Sequence, residues 1–157
     1  MSKSSNYAGR ILIYSAPAAL QEHITWAIEQ GLGQVIKLPW QNQPLNPAAK
    51  ALQLEYKHHI PIAAKLATAL KAWHYIRFEI RQVSKNTGDA TLYRATADLG
   101  LHQVNTSSIG DVMLNENQIN TAIKQSLTYE KLQSNLDNAL GSAWDSELEP
   151  YRIALAM

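Results

Sequence analysis

"IRFEIRQVSKNTGDATLYR", Ile76 to Arg94, decides how this chain folds. Ile76, Phe78 and Ile80 alternate with Arg77, Glu79 and Arg81, the period of a strand with one apolar and one charged face. Asn86-Thr-Gly-Asp89 then supplies hairpin-turn chemistry, and Thr91-Leu-Tyr-Arg94 begins the return strand.

Upstream, Arg10-Ile-Leu-Ile-Tyr14 reads as a strand apolar on both sides, hence central. Ser15-Ala16-Pro17 starts a helix whose Leu20, Ile24, Ala27 and Ile28 share one face, and Gly31-Leu-Gly33 closes it. Val35–Leu38 reads as a second strand, and the polar, proline-punctuated stretch Gln41–Pro47 as a loop. Leu52, Leu54 and Tyr56 alternate with Gln53, Glu55 and Lys57 in a third strand. Pro61 opens a second helix whose stripe of Ile62, Leu66, Ala69, Leu70 and Trp73 assigns Trp73 to the core. The order strand, helix, strand, strand, helix, strand predicts an α+β fold with a ferredoxin-like βαββαβ core over residues 10–85.

Residues 90–152 read as a C-terminal extension of strands and helices. Leu92–Ala97 and Leu101–Asn105 are further strands around Gly100, and Ser108-Ile-Gly-Asp111 is a turn. Asn115 with Gln118 forms a capping-box start for a helix through about Gln125. Thr128 caps a last helix, striped by Leu132, Leu136, Ala139, Leu140 and Ala143. Two C-terminal helices are therefore expected within one domain spanning residues 1–157, with residues 1–8 disordered. A ferredoxin-like sheet carries its helices on one face, yet the central strand here is apolar on both. Either the C-terminal helices fold back onto the second face or another protomer covers it; the unhoused stripe of the last helix favours the first.

Composition narrows the function. A chain of 157 residues that is 46% hydrophobic can bury a core, and 14 basic against 13 acidic residues leave a charge of +1, no field for a polyanion, so nucleic acid is disfavoured as the main partner. No cysteine is present, which removes disulfides, zinc–thiolate sites and thiol nucleophiles. The N-terminus lacks an apolar signal region and no apolar run is long enough for a bilayer, so a cytoplasmic location without membrane contact is expected. No G-x-S-x-G elbow, P-loop or G-x-G-x-x-G motif occurs. Arg77, Arg81 and Lys57 with Tyr14 imitate the basic, aromatic sheet surface of an RNA-recognition fold, but its strand signature is missing.

The stretch least like scaffold is "LGSAWDSELEPYR", Leu140 to Arg152, where Trp144 stands beside Asp145, Glu147 and Glu149. In a strand these carboxylates would share one face and suit a hard cation; in a helix alternate positions diverge. Neither a metal nor a cofactor is expected. The segment reads instead as a structural clasp in which Trp144 packs the chain end down, Pro150 ends the helix, and Glu149 pairs with Arg10 or Arg152. His23 and Trp26 fall side by side off the apolar face of the first helix, where packing is the ordinary role of such residues.

"YSAPAALQEHITWAI" (Tyr14–Ile28), "LPWQNQP" (Leu38–Pro44), "AWHYIRFEI" (Ala72–Ile80), "ADLGLHQVNTSSIGDVMLNENQI" (Ala97–Ile119) and "LGSAWDSELEPYR" together resemble the actinobacterial domain-of-unknown-function family numbered 3145. The resemblance spans nearly the whole chain and implies a single-domain cytoplasmic protein. It brings no catalytic residue with it.

The leading expectation is a non-enzymatic protein–protein interaction or assembly module, its partner another protein or a second copy. His23, Trp26, Trp40, Trp144, Asp145, Glu147, Glu149 and Arg152 would gather on one contact surface. The rival is a small-ligand sensor or enzyme with a pocket between sheet and C-terminal helices, using His23 with Asp145 or Glu147 as an acid–base pair.

Overall fold

The computed structural model describes residues 4–157, and among them the chain forms an α+β fold of five α-helices and a seven-stranded antiparallel sheet. The strands are β1 (Tyr7–Pro17), β2 (Gln41–Gln43), β3 (Asn46–His58), β4 (Arg77–Ser84), β5 (Ala90–Thr96), β6 (Gly100–Thr106) and β7 (Val112–Met113). The helices are α1 (Gln21–Leu32), α2 (Ala63–Leu70), α3 (Glu116–Lys124), α4 (Tyr129–Leu140) and α5 (Ser142–Ala156). Strand order across the sheet is β2-β3-β1-β4-β5-β6-β7.

Register explains the two faces. Ile11 lies opposite Leu54 and Ile80, and Ile80 opposite Tyr93; Ile13 lies opposite Leu52 and Phe78. These side chains form the core with Ile24 and Ile28 of α1 and Leu66 and Leu70 of α2, so both helices cover one face. Gly31 permits the close approach of α1 to α2, since a Cβ there would collide with the Leu66 side chain. On the other face, Leu12, Glu79, Arg94 and His102 form one cross-strand row, and Arg10, Arg81, Leu92 and Val104 the next.

The β4–β5 hairpin forms as read: Ser84 N donates to Asp89 O, and Gly88 N to Ser84 O. The α3 capping box is complete, with Gln118 N donating to Asn115 Oδ1 (2.8 Å) and Asn115 N to Gln118 Oε1 (2.9 Å). Thr128 Oγ1 caps α4 by accepting from Lys131 N.

Several local expectations are corrected. Val35–Leu38 forms no strand and Val35 is exposed. Instead the stretch read as loop supplies β2 and the start of β3, turning at Pro44-Leu45, because Gln43 is buried where its amide meets the sheet. The second helix stops at Leu70, leaving Trp73 in the following turn, half-buried against the core. The first eight residues are not uniformly disordered: residues 1–3 lie outside the described residues, while Tyr7 and Ala8 pair with both β3 and β4.

The C-terminal region has three helices, not two. Gly141 breaks the predicted last helix with φ 79°, a left-handed conformation that favours glycine, and a Cβ there would collide with the Arg94 guanidinium and His102 ring. Pro150 does not end the following helix. It sits inside α5, which continues to Ala156 because Leu148 and Ala154 are buried on either side of the proline. No helix among the described residues is long and apolar enough to cross a membrane.

Candidate functional site

β1 carries a bulge after Ile13, where register shifts against both β3 and β4. The bulge takes the Tyr14 carbonyl out of the ladder, and the buried Gln43 side chain satisfies it by donating Nε2 (2.6 Å). Tyr14 then directs its ring to the second sheet face, where its hydroxyl donates to Glu79 Oε2 (2.6 Å).

Arg152 of α5 is the hub of what surrounds Tyr14. Its Nε donates to Tyr14 Oη (3.1 Å), Nη2 to Glu79 Oε2 (3.2 Å), and Nη1 to both Asp145 Oδ1 (2.7 Å) and Glu149 Oε2 (2.9 Å). Helical spacing explains the set: Asp145 and Glu149 stand four residues apart on one side, and Glu147 turns away. Glu147 instead meets Arg77, with Nε to Oε1 at 3.5 Å, while the Arg77 guanidinium lies 4.8 Å over the Tyr151 ring.

A second group holds the α4–α5 corner. Arg94, only 4% exposed, donates Nη2 to the Leu140 carbonyl (2.8 Å), placing a cation at the negative end of α4. His102 Nε2 lies 3.1 Å from the Ala139 carbonyl; a carbonyl only accepts, so this nitrogen carries the proton. The Trp144 ring stacks on His102 at 4.5 Å and donates Nε1 to the Gly100 carbonyl (2.9 Å).

The electrostatics follow from burial and pairing. Burial, then the charge and hydrogen bond of Glu79, push the Tyr14 hydroxyl far above its ordinary range. Burial alone would lower Arg152, but its bonds to Tyr14 and Asp145 and the Glu79 charge outweigh that and raise it. Arg94 is lowered by burial against the pull of Glu79 and Asp145. His102 is lowered by burial and by the Arg94 charge, partly offset by the Ala139 carbonyl.

The charges of these groups are paired, although Arg77 Nε, Glu147 Oε1, Arg94 Nε and His102 Nδ1 are buried without a hydrogen bond. Tyr14 is held protonated, and Glu79, Asp145, Glu147 and Glu149 each have an arginine. The main surface cavities are lined elsewhere, except that Arg77 borders one. Among the described residues no group of three or more His, Asp or Glu side chains is placed to hold a metal.

Of the residues singled out in the sequence, the structure brings together Trp144, Asp145, Glu147, Glu149 and Arg152, between α5 and the sheet. It does not bring His23, Trp26 or Trp40 to them. His23 is exposed on α1 and Trp26 is 63% exposed, while Trp40 is half-buried and donates Nε1 to Thr25 Oγ1 (2.9 Å). Helix α1 covers the opposite sheet face, so the expected single surface and the pairing of His23 with Asp145 or Glu147 are both corrected. Glu149 pairs with Arg152 and not with Arg10. Sequence reasoning missed Glu79, Arg94 and His102 as partners of the clasp. The available signal was Arg77 and Glu79 alternating on the polar side of the strand that opened the reading.

The chain belongs to the family described as protein of unknown function (DUF3145), whose model matches residues 10–156. No curated protein and no solved structure matches it.

Proposed function

We propose that this member of the family is a non-enzymatic assembly module: a ferredoxin-like core over residues 10–85, extended by residues 90–152, that pairs with a second copy of itself through α3. The order β2-β3-β1-β4, with α1 between β1 and β2 and α2 between β3 and β4, supports the ferredoxin-like assignment. Engagement of every clasp carboxylate by an arginine supports a structural role for that segment over a catalytic one.

One observation carries the assembly reading. Helix α3 buries a single side chain, Ala122, yet Ile119 and Ile123 are 41% and 52% exposed one turn apart, and Leu127 beyond the helix end is 99% exposed. An apolar stripe of this kind left in water marks an interface. A second copy suits it by charge. With two α3 helices antiparallel about Ile119 and Ile123, Glu116 at one end of each helix approaches Lys124 at the other end of its partner, and the helix dipoles oppose. One such helix pair is smaller than the roughly 1,200 Å² of a stable interface, so dissociation on the order of 10–100 µM is expected.

Sedimentation velocity over a concentration series tests this. The wild type should dimerise and the Ile119→Asp/Ile123→Asp variant should stay monomeric with an unchanged unfolding midpoint. A wild type monomeric up to about 500 µM overturns the self-pairing.

A further inference from the structure

We propose that the part of the second sheet face left bare by α5 is a binding site for a small organic phosphate, its dianionic phosphoryl group held by Arg10, Arg81 and Lys57. Strand register places these residues. Arg10 lies opposite Arg81 on one side and Glu55 on the other, and in the next row of the same face Ala8 lies between Lys57 and Val83. The result is a shallow open trough of about 630 Å³, bordered by the three cations, with Ala8, Gly9 and Val83 contributing its apolar surface.

Like charges directly opposite in a sheet repel, and among the described residues only Glu55, across from Arg10 on its other side, offsets this pair, without forming an ion pair with either arginine. Among the described residues no ion pair engages Arg10, Arg81 or Lys57; the one hydrogen bond made by these three side chains is a long one, from Arg81 Nη2 to the Ser107 carbonyl (3.4 Å). On the same face, Arg77, Arg94 and Arg152 all have carboxylates. Three cations less the one carboxylate of Glu55 leave a local charge of +2. That matches a phosphomonoester, which carries close to two negative charges above its second ionisation near about pH 6, better than the single charge of each backbone phosphate in nucleic acid. Guanidinium forks suit phosphoryl oxygens and lysine adds a point charge; Arg10 and Arg81 stand on adjacent strands, and Arg81 would exchange its long bond to the Ser107 carbonyl for the phosphoryl group. The trough exceeds a phosphate in size, so its apolar surface is left for the organic part.

Calorimetric titration of the full chain with inorganic pyrophosphate, the probe here, at low ionic strength tests the site. The wild type should bind with a dissociation constant below about 1 mM, and the Arg10→Gln/Arg81→Gln variant should lose about tenfold or more. Affinity should fall with added salt. Thermal unfolding of the variant shows that it is folded. Absence of binding up to about 10 mM probe, or equal binding by the folded variant, overturns the proposal. A single-stranded oligonucleotide arm separates the sources of phosphate: affinity that grows with oligonucleotide length and exceeds that for pyrophosphate assigns the trough to nucleic acid and overturns the small-molecule assignment.

Discussion

At one end of the second sheet face, Arg77, Arg94 and Arg152 meet Glu79, Asp145, Glu147 and Glu149; at the other, Arg10, Lys57 and Arg81 surround a trough with Glu55 alone among them. The strands alone are short of acid at both ends. What differs is α5, which brings three carboxylates and one arginine down onto the first end. A buried cation needs a carboxylate, as Arg94 has in Asp145; at the open end Arg10 and Lys57 are exposed and Arg81 is half-buried, so beyond Glu55 water offsets their charge and a ligand can replace that water. The contrast makes the first end a fastening and leaves the second available.

Arg152→Ala should produce the largest effect. It leaves Glu79, whose side chain is 16% exposed, and the Tyr14 hydroxyl without their cation, while Asp145 and Glu149 are more than half exposed and add little. After that discount, a loss of about 2–3 kcal/mol in unfolding free energy is expected in urea denaturation. Arg10→Ala, in the open end, should shift the midpoint negligibly. Equal effects would dissolve the distinction between the two ends.

Acid should loosen the fastened end selectively. His102 titrates below the ordinary histidine value near 6.5, because burial and the Arg94 charge oppose its protonation more than the Ala139 carbonyl favours it. The unfolded chain therefore takes up this proton first as pH falls, so the contribution is complete above about pH 6.5 and is lost below it, toward the folded-state value. Stability measured across this window should decline in the wild type and decline less in His102→Gln. Identical pH profiles would remove His102, and the Trp144 ring stacked on it, from the account of how the corner is held.

Much of this was legible in local pattern and some was not, for identifiable reasons. The β4–β5 hairpin, the α3 capping box and the Thr128 cap depend on neighbours within a few residues, and each formed as read. The clasp was legible in kind: Asp145, Glu149 and Arg152 lie within one short stretch. Its other half was not, because Glu79, Arg94 and His102 become neighbours only through cross-strand register, and a bulge no pattern announced turns Tyr14 toward them. Gly141 read as helix interior because the reason for a glycine there, the Arg94 and His102 side chains beneath it, comes from distant strands. Pro150 read as a helix end because local propensity says so, and tertiary burial on both sides of it prevailed.

The smallest effect tests the contrast most finely, because its sign is opposite. Arg81 faces Arg10 across the strand pair with no carboxylate of its own, so Arg81→Gln removes a repulsion and should raise stability by about 0.2–0.5 kcal/mol in the absence of added anion. The same substitution at Arg77 removes the partner of Glu147 and the stack on Tyr151, and should lower stability. Pyrophosphate should then stabilise the wild type more than Arg81→Gln, since a ligand raises stability only as far as the folded state binds it. If Arg81→Gln destabilises without anion, Arg81 is holding the sheet together as Arg77 does, and the open end is a second fastening.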